Sequence, residues 1–214
     1  ALTSRVLVAD GAMGTMLQAN DLTLDDFEGH EGCNEILNVT RPDVVRAVHD
    51  AYFEVGVDLV ETNTFGANWA NLAEYDITER IEELAESGAR IARESADHWS
   101  TPEQPRFVIG SVGPGTKLPT LGHAPYALLR DAYQRQVEGM LAGGVDAVLV
   151  ETVQDVLQAK AALVGARRAM NAVGSSAVLI ARITVETTGT MLVGTETSAA
   201  LVALEPLGID LIGM

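Results

Sequence analysis

Three short stretches of the chain share one plan: "GVDLVET" from Gly56 to Thr62, "GVDAVLVET" from Gly144 to Thr152, and "GIDLIGM" from Gly208 to Met214. Each begins with glycine and runs into an apolar segment of strand character, and two of the three end in glutamate and threonine. A helical period leads into each copy. "DVVRAVHDAYFEVG" spaces Val44, Val45, Val48, Tyr52 and Val55 as a helix does, with Thr40, Arg41 and Pro42 at its start. Proline suits the first helical position, where its missing N–H has no partner to lose, and Gly56 suits the stop. Further helices are expected from about Ile77 to His98, and in "APYALLRDAYQRQVEGMLAGG", "QDVLQAKAALVGARRAM" and "TETSAALVALEPLG". "RVLVAD" (Arg5 to Asp10), "RFVIGSVGPG" and "AVLIARITV" bring the expected buried strands to six.

Apolar strands alternating with helices call for a parallel sheet covered by helices. Two architectures compete, a doubly wound open sheet and a (β/α)8 barrel. The doubly wound sheet often carries a glycine-rich phosphate loop after its first strand. Here "DGAMGTM" supplies Gly11 and Gly14 and matches neither GxGxxG nor the P-loop pattern. In the barrel, polar residues gather at the C-terminal strand ends. Asp10, Glu61, Thr62, Asn63, Thr64, Ser111, Glu151, Thr152 and Thr184 follow that pattern. The expected fold is therefore α/β, a TIM (β/α)8-type barrel truncated after about six strands. Residues 1–214 form one partial domain in this reading, with the last two β/α units absent.

Charge and cysteine content remove several functions. With 30 acidic against 14 basic residues, a formal charge of -16 repels phosphate backbones and anionic lipid. Neither a nucleic acid nor a membrane surface is an expected partner. Cys33 is the one cysteine, which excludes an internal disulfide framework and a multi-cysteine metal site within these residues. No apolar run has the length of a membrane span and the N-terminus lacks the form of a signal peptide, so a cytoplasmic location is expected.

Asp10, Glu61 and Glu151 each end an expected strand. One such carboxylate is as often a loop staple as a ligand group. Three on one rim suit a cation, and the α-ammonium of an amino acid is a candidate. The amides around Gly11 could receive the matching carboxylate, because glycine lets backbone approach a ligand closely. "ETNTFGAN" (Glu61 to Asn68) reads either as a turn held by its own side chains or as a substrate-facing loop, and the second reading is favoured. The long Gly- and Pro-rich loop from Gly110 to His123 is expected to be functional or mobile. His123 reads as a surface histidine, His30, His49 and His98 lack metal-ligand spacing, and Cys33 reads as a small buried residue.

Five ordered motifs carry the reading further: "DGAMGTMLQ", "GCNEILNVTRPDVV", "ETNTFGAN", "GSVGPGTKLPTLGH" and "TVETTGTMLVGTE". Together they resemble the N-terminal homocysteine-binding domain of the cobalamin-dependent methionine synthases, within the homocysteine S-methyltransferase family, from about Arg5 to Met214. The resemblance implies a (β/α)8 barrel in which Asp10, Gly11, Glu61, Thr62, Asn63, Thr64, Ser111 and Glu151 surround the amino-acid end of homocysteine. It also implies a cytoplasmic methyltransferase of methionine biosynthesis that uses zinc and methylcobalamin. In the family three cysteine thiolates hold the zinc, the first just after the sixth strand; none of the three is matched here, and Cys33 is not one of them. The cobalamin domain likewise lies outside these residues, so no catalytic or metal-binding residue is assigned and the isolated chain is expected to be inactive. Expected partners are homocysteine, folate-, cobalamin- and activation-type domains of the parent enzyme, and a second copy paired through open barrel edges. Two alternatives stand beside this one: a non-catalytic amino-acid-binding fragment, and a homocysteine methyltransferase with another donor.

Overall fold

A computed structural model describes residues 4–214. In chain order its elements are α1 (Met13–Gln18), α2 (Leu37–Thr40), α3 (Pro42–Glu54), β1 (Leu59–Glu61), α4 (Trp69–Leu72), α5 (Ile81–Trp99), β2 (Phe107–Val112) and α6 (Tyr126–Ala142). They continue with β3 (Ala147–Val153), α7 (Val156–Val173), β4 (Val178–Ile183), α8 (Thr197–Leu204) and β5 (Leu211–Gly213). All five strands are parallel and lie in the order β1-β2-β3-β4-β5. That order discriminates between the two candidate architectures. A doubly wound sheet reverses direction at a switch point, whereas here every crossover steps the same way, as in a barrel. Successive helices pack side by side, α3 on α5, α5 on α6, α6 on α7 and α7 on α8, forming one outer layer. Glycines allow the close approach: a Cβ on Gly139 would sit 2.5 Å from the Glu82 carbonyl oxygen, and one on Gly165 2.5 Å from that of Arg130.

Strand periodicity divides the side chains between two cores. Val60, Val108, Val148, Val150, Leu179 and Ala181 pack outward against the helices. Leu59, Ile109, Ala147 and Leu149 face the other way, joined by Leu7, Phe107, Val178 and Ile180, and form the inner cluster. Counting on by two along each strand from this inner set reaches Glu61, Ser111, Glu151 and Arg182. The inner face is thus apolar at the bottom and polar at the top.

The aspartates of the three repeated stretches have a common task at the opposite end of the sheet. Asp58 N–H donates to the Val8 carbonyl, and its carboxylate accepts from Val8 N–H at 2.8 Å. Asp146 does the same with Val108, and Asp210 with Leu179, each again at 2.8 Å from carboxylate to amide. The preceding glycines, Gly56, Gly144 and Gly208, have φ of 99°, 92° and 76°, a region that glycine enters without strain. The repeat is therefore a strand-entry device that locks β1, β3 and β5 each to the segment before it.

The expectation of six buried strands needs correction at both edges. "RVLVAD" is reduced to a single bridge, Ala9 to Leu59, and Val6 and Val8 are 84% and 56% exposed. The segment pairs on one side only, so it lacks the second ladder that would bury it. At the far edge Leu211 and Ile212 are also exposed, for the same reason. The long central helix starts at Ile81, later than expected, behind a 3-10 turn at Thr78–Arg80.

Two tests follow from this packing. Arg5 holds the Asp58 carboxyl down to about 2, against the cost of its burial and with help from the Val8 amide. Asp58→Ala should cost about 2 kcal/mol in chemical denaturation, because it orphans an amide and a guanidinium together, and Asp58→Asn should cost less. His49 is buried on α3 with neither ring nitrogen partnered, and burial pushes its pKa down from 6.5 to about 4. Between those values the unfolded chain takes up a proton that the folded chain refuses, so stability falls as pH drops through that window. His49→Leu should remove that slope, worth at most about 3 kcal/mol by linkage, in urea titrations of parent and variant. Parallel pH profiles for the two would refute the assignment.

Candidate functional site

A cavity of about 500 Å³ opens at the C-terminal end of the inner sheet face. Its wall includes Asp10, Gly11, Glu61, Thr62, Asn63, Ser111 and Glu151, seven of the eight residues expected to surround a ligand, together with Arg182. Asp10 sits just past the bridged first segment. Both of its carboxylate oxygens accept from Glu61 N–H at 3.1 Å, which links the first segment to the end of β1. Burial raises the Asp10 carboxyl to about 7, the Glu61 amide opposes the rise, and the charges of Glu61 and Glu151 add to it.

Glu61 and Glu151 face one another across the cavity. Burial, then the neighbouring Glu151 charge, lifts Glu61 to about 7 despite the opposing pull of Arg182. Glu151 is held at both oxygens: Oε1 accepts from the Ser111 hydroxyl at 2.6 Å, and Oε2 from Arg182 Nη2. The same Arg182 nitrogen donates to Glu61 Oε1 at 3.4 Å. Four carboxylates, these three and the buried Glu35, therefore line one pocket with one guanidinium. Such a site is short of positive charge and receives a cation readily.

Backbone strain sets Glu151 in place. The register of β3 against β4 shifts between Val150 and Val153, and Thr152 has φ of 55°. A β-branched residue in the left-handed region is an uncommon and costly conformation that clusters at functional sites. The bulge turns Thr152 outward to solvent while Glu151 stays buried at the cavity. Thr152→Asn should raise stability by about 1 kcal/mol, since asparagine tolerates this region better. Thermal denaturation checks the prediction, and a lowered midpoint would remove the strain assignment.

The remaining sequence candidates divide. Thr64 does not line the cavity. Fully buried, its hydroxyl lies 2.6 Å from that of Thr62 and donates to the Ser111 carbonyl at 2.8 Å. Asn63 reaches the wall, yet its amide donates to the Asn34 carbonyl and the Asn38 side chain, at 2.8 and 2.9 Å. The "ETNT" run is thus in part cavity wall and in part self-supporting turn. Gly11 forms wall where a Cβ would lie 3.0 Å from Tyr52 Oη. The long loop after Ser111 is pinned: Asp155, which also caps α7, accepts from Thr120 N–H and hydroxyl, and Tyr133 donates to the Pro114 carbonyl. His123 Nδ1 accepts from Leu118 N–H within the same loop. Arg182 was missed by the sequence reasoning, although a lone arginine in "AVLIARITV" was a visible signal.

Metal binding is not supported by these side chains. Among the described residues, no group of three or more His, Cys, Asp and Glu is placed to hold an ion. Cys33 is buried beside Glu35, its Sγ 3.8 Å from Oε2, and burial followed by that carboxylate raises the thiol to about 12. A thiol so far from ionising suits packing better than thiolate chemistry. Among the described residues no helix is long and apolar enough to cross a membrane.

Comparison with known proteins bears on the family and the fold. The sequence model of the family described as homocysteine S-methyltransferase matches residues 7–214. Methionine synthases from Mycobacterium tuberculosis and Mycobacterium leprae are 62% and 61% identical over 213 residues. Those matches cover 100% of this chain and 18% of each relative, so the chain spans under a fifth of their length. The fold is also that of the homocysteine methyltransferase MmuM from Escherichia coli, a TIM-barrel-type enzyme. Its metallated form superposes with a TM-score of 0.75 at 20% identity, over 99% of this chain and 75% of that one. Its apo form gives 0.73 at 21%, over 99% and 73%.

Proposed function

We propose that this chain, which belongs to the homocysteine S-methyltransferase family, holds the amino-acid end of homocysteine as one domain of a methionine synthase. The observation that carries the reading is the trio of rim carboxylates around one cavity, where Asp10, Glu61 and Glu151 offer an ammonium group several buried oxygens. The amides beside Gly11 take the carboxylate in this reading, while Thr62, Asn63 and Ser111 complete the wall and Thr64 braces it from behind.

Residues 1–214 are read as part of a single barrel domain whose remaining two strand–helix units lie elsewhere in the protein. The exposed edge residues Val6, Val8, Leu211 and Ile212, and the share of the MmuM chain left uncovered, support this. Those units, rather than a second copy, are assigned to the exposed strand edges. The methyl donor is read as methylcobalamin, carried with folate- and activation-type domains in the rest of the protein, and the length of the mycobacterial relatives supports further domains. Zinc, when bound, would supply a thiolate from homocysteine at neutral pH. The side chains described above do not fit a zinc site, so within these residues the chemistry stops at binding and orienting the amino acid.

Isothermal titration of the full-length protein with L-homocysteine tests the reading. Glu151→Gln should weaken binding by about thirtyfold or more, the usual effect of removing one partner of a buried charge pair. Affinity should also rise with pH through about 7, because Asp10 and Glu61 must lose their protons to hold an ammonium. Binding that is indifferent to both changes would place homocysteine elsewhere.

A further inference from the structure

Arg182 lies on β4, on the strand beside Glu151, and its side chain is 43% exposed while those of Glu61 and Glu151 are 24% and 7% exposed. Both of its ion pairs use the same nitrogen, Nη2, which stands between Glu61 Oε1 and Glu151 Oε2. Ser111 takes the other oxygen of Glu151, and the Glu61 amide takes Asp10. Two of the carboxylate oxygens at this rim, Glu61 Oε1 and Glu151 Oε2, are therefore ones that Arg182 already holds. A long side chain rooted at the rim can leave them without disturbing the sheet.

We infer that Arg182 is the pocket's own cation, seated on Glu61 and Glu151 while the pocket is empty and displaced by the ligand's ammonium on binding. The inference rests on the reading of the cavity as an ammonium site. It adds a residue that sets affinity and selectivity without being part of the ligand's final contact set. In the empty pocket two close carboxylates would repel, and the guanidinium offsets that repulsion. In the filled pocket two cations would compete for the same oxygens, and the ligand has to win them from a tethered rival. The consequence is discrimination: a weakly basic or neutral ligand end cannot dislodge the arginine, whereas an ammonium can.

The test uses the full-length protein and two probes at about pH 8.5, where the carboxylates that burial has raised to about 7 are ionised. L-Homocysteine carries the ammonium; 4-mercaptobutyrate is the same skeleton without it. In Arg182→Gln, homocysteine should bind about two- to fivefold more tightly, the worth of a partly exposed ion pair no longer in competition. Binding of 4-mercaptobutyrate should not weaken. Arg182→Lys, which keeps a mobile cation with shorter reach, should fall between parent and Arg182→Gln. A single cooperative thermal transition in each of the three proteins, well above the titration temperature, shows that folding is not the cause. If Arg182→Gln weakens both ligands, the arginine anchors the carboxylate and displacement is wrong. If it leaves homocysteine affinity unchanged, the ion pairs have no part in binding and displacement is again wrong. Homocysteine that binds the parent protein but ignores Glu151→Gln would instead remove the functional reading, and this inference with it.

Discussion

Alternate strands of this sheet, β1, β3 and β5, are each tied to the preceding segment by an aspartate that pairs with the neighbour's backbone twice, once through its amide and once through its carboxylate. A parallel ladder has slanted hydrogen bonds and no hairpin to set its register, so the first pairing on each strand decides all the later ones. Asp58, Asp146 and Asp210 make that first pairing at the N-terminal end. A slip of one residue would turn the inner column of Leu149 and Glu151 toward the helices and bring Val148 and Val150 into the pocket. The chemistry at the top of the sheet thus depends on carboxylates at the bottom that never touch a ligand.

The inner face shows the same economy. Its lower layers are Leu, Ile, Ala and Val, which exclude water from the sheet interior and lower the polarity beneath the rim. That apolar floor raises Asp10 and Glu61 to about 7. Carboxylates on a solvated loop would ionise completely and gain little from a ligand's ammonium. Held half-buried and close together, they gain more from an ammonium than water can give them. Arg182 and Ser111 keep the arrangement stable while it waits.

Much of this was legible in the residues themselves. Alternating strand and helix periods implied the parallel sheet, and the polar strand ends chose the barrel over the doubly wound form. Glu61 and Glu151 declared themselves as carboxylates closing apolar runs. Thr64 did not: nothing in "ETNT" tells which hydroxyl faces the cavity and which faces the adjacent strand, because the chain leaves the regular strand alternation at Thr62. Arg182 could have been found by counting in twos from Val178 and Ile180, the parity that also carries Leu149 to Glu151. The aspartates of the repeat carried no visible sign of their task, because their partners are amides dozens of residues away in the chain.

The sequence by itself determined the order of elements, the apolar faces and the kinds of group available at the rim, because periodicity and turn chemistry are local properties. Tertiary structure alone decided which of those groups meet. The proximity of Glu61, Glu151 and Arg182, the strain at Thr152 and the rise of two carboxyls to about 7 arise from the parallel register between strands. Distance and burial between residues far apart in the chain are set by packing, and no local pattern encodes them.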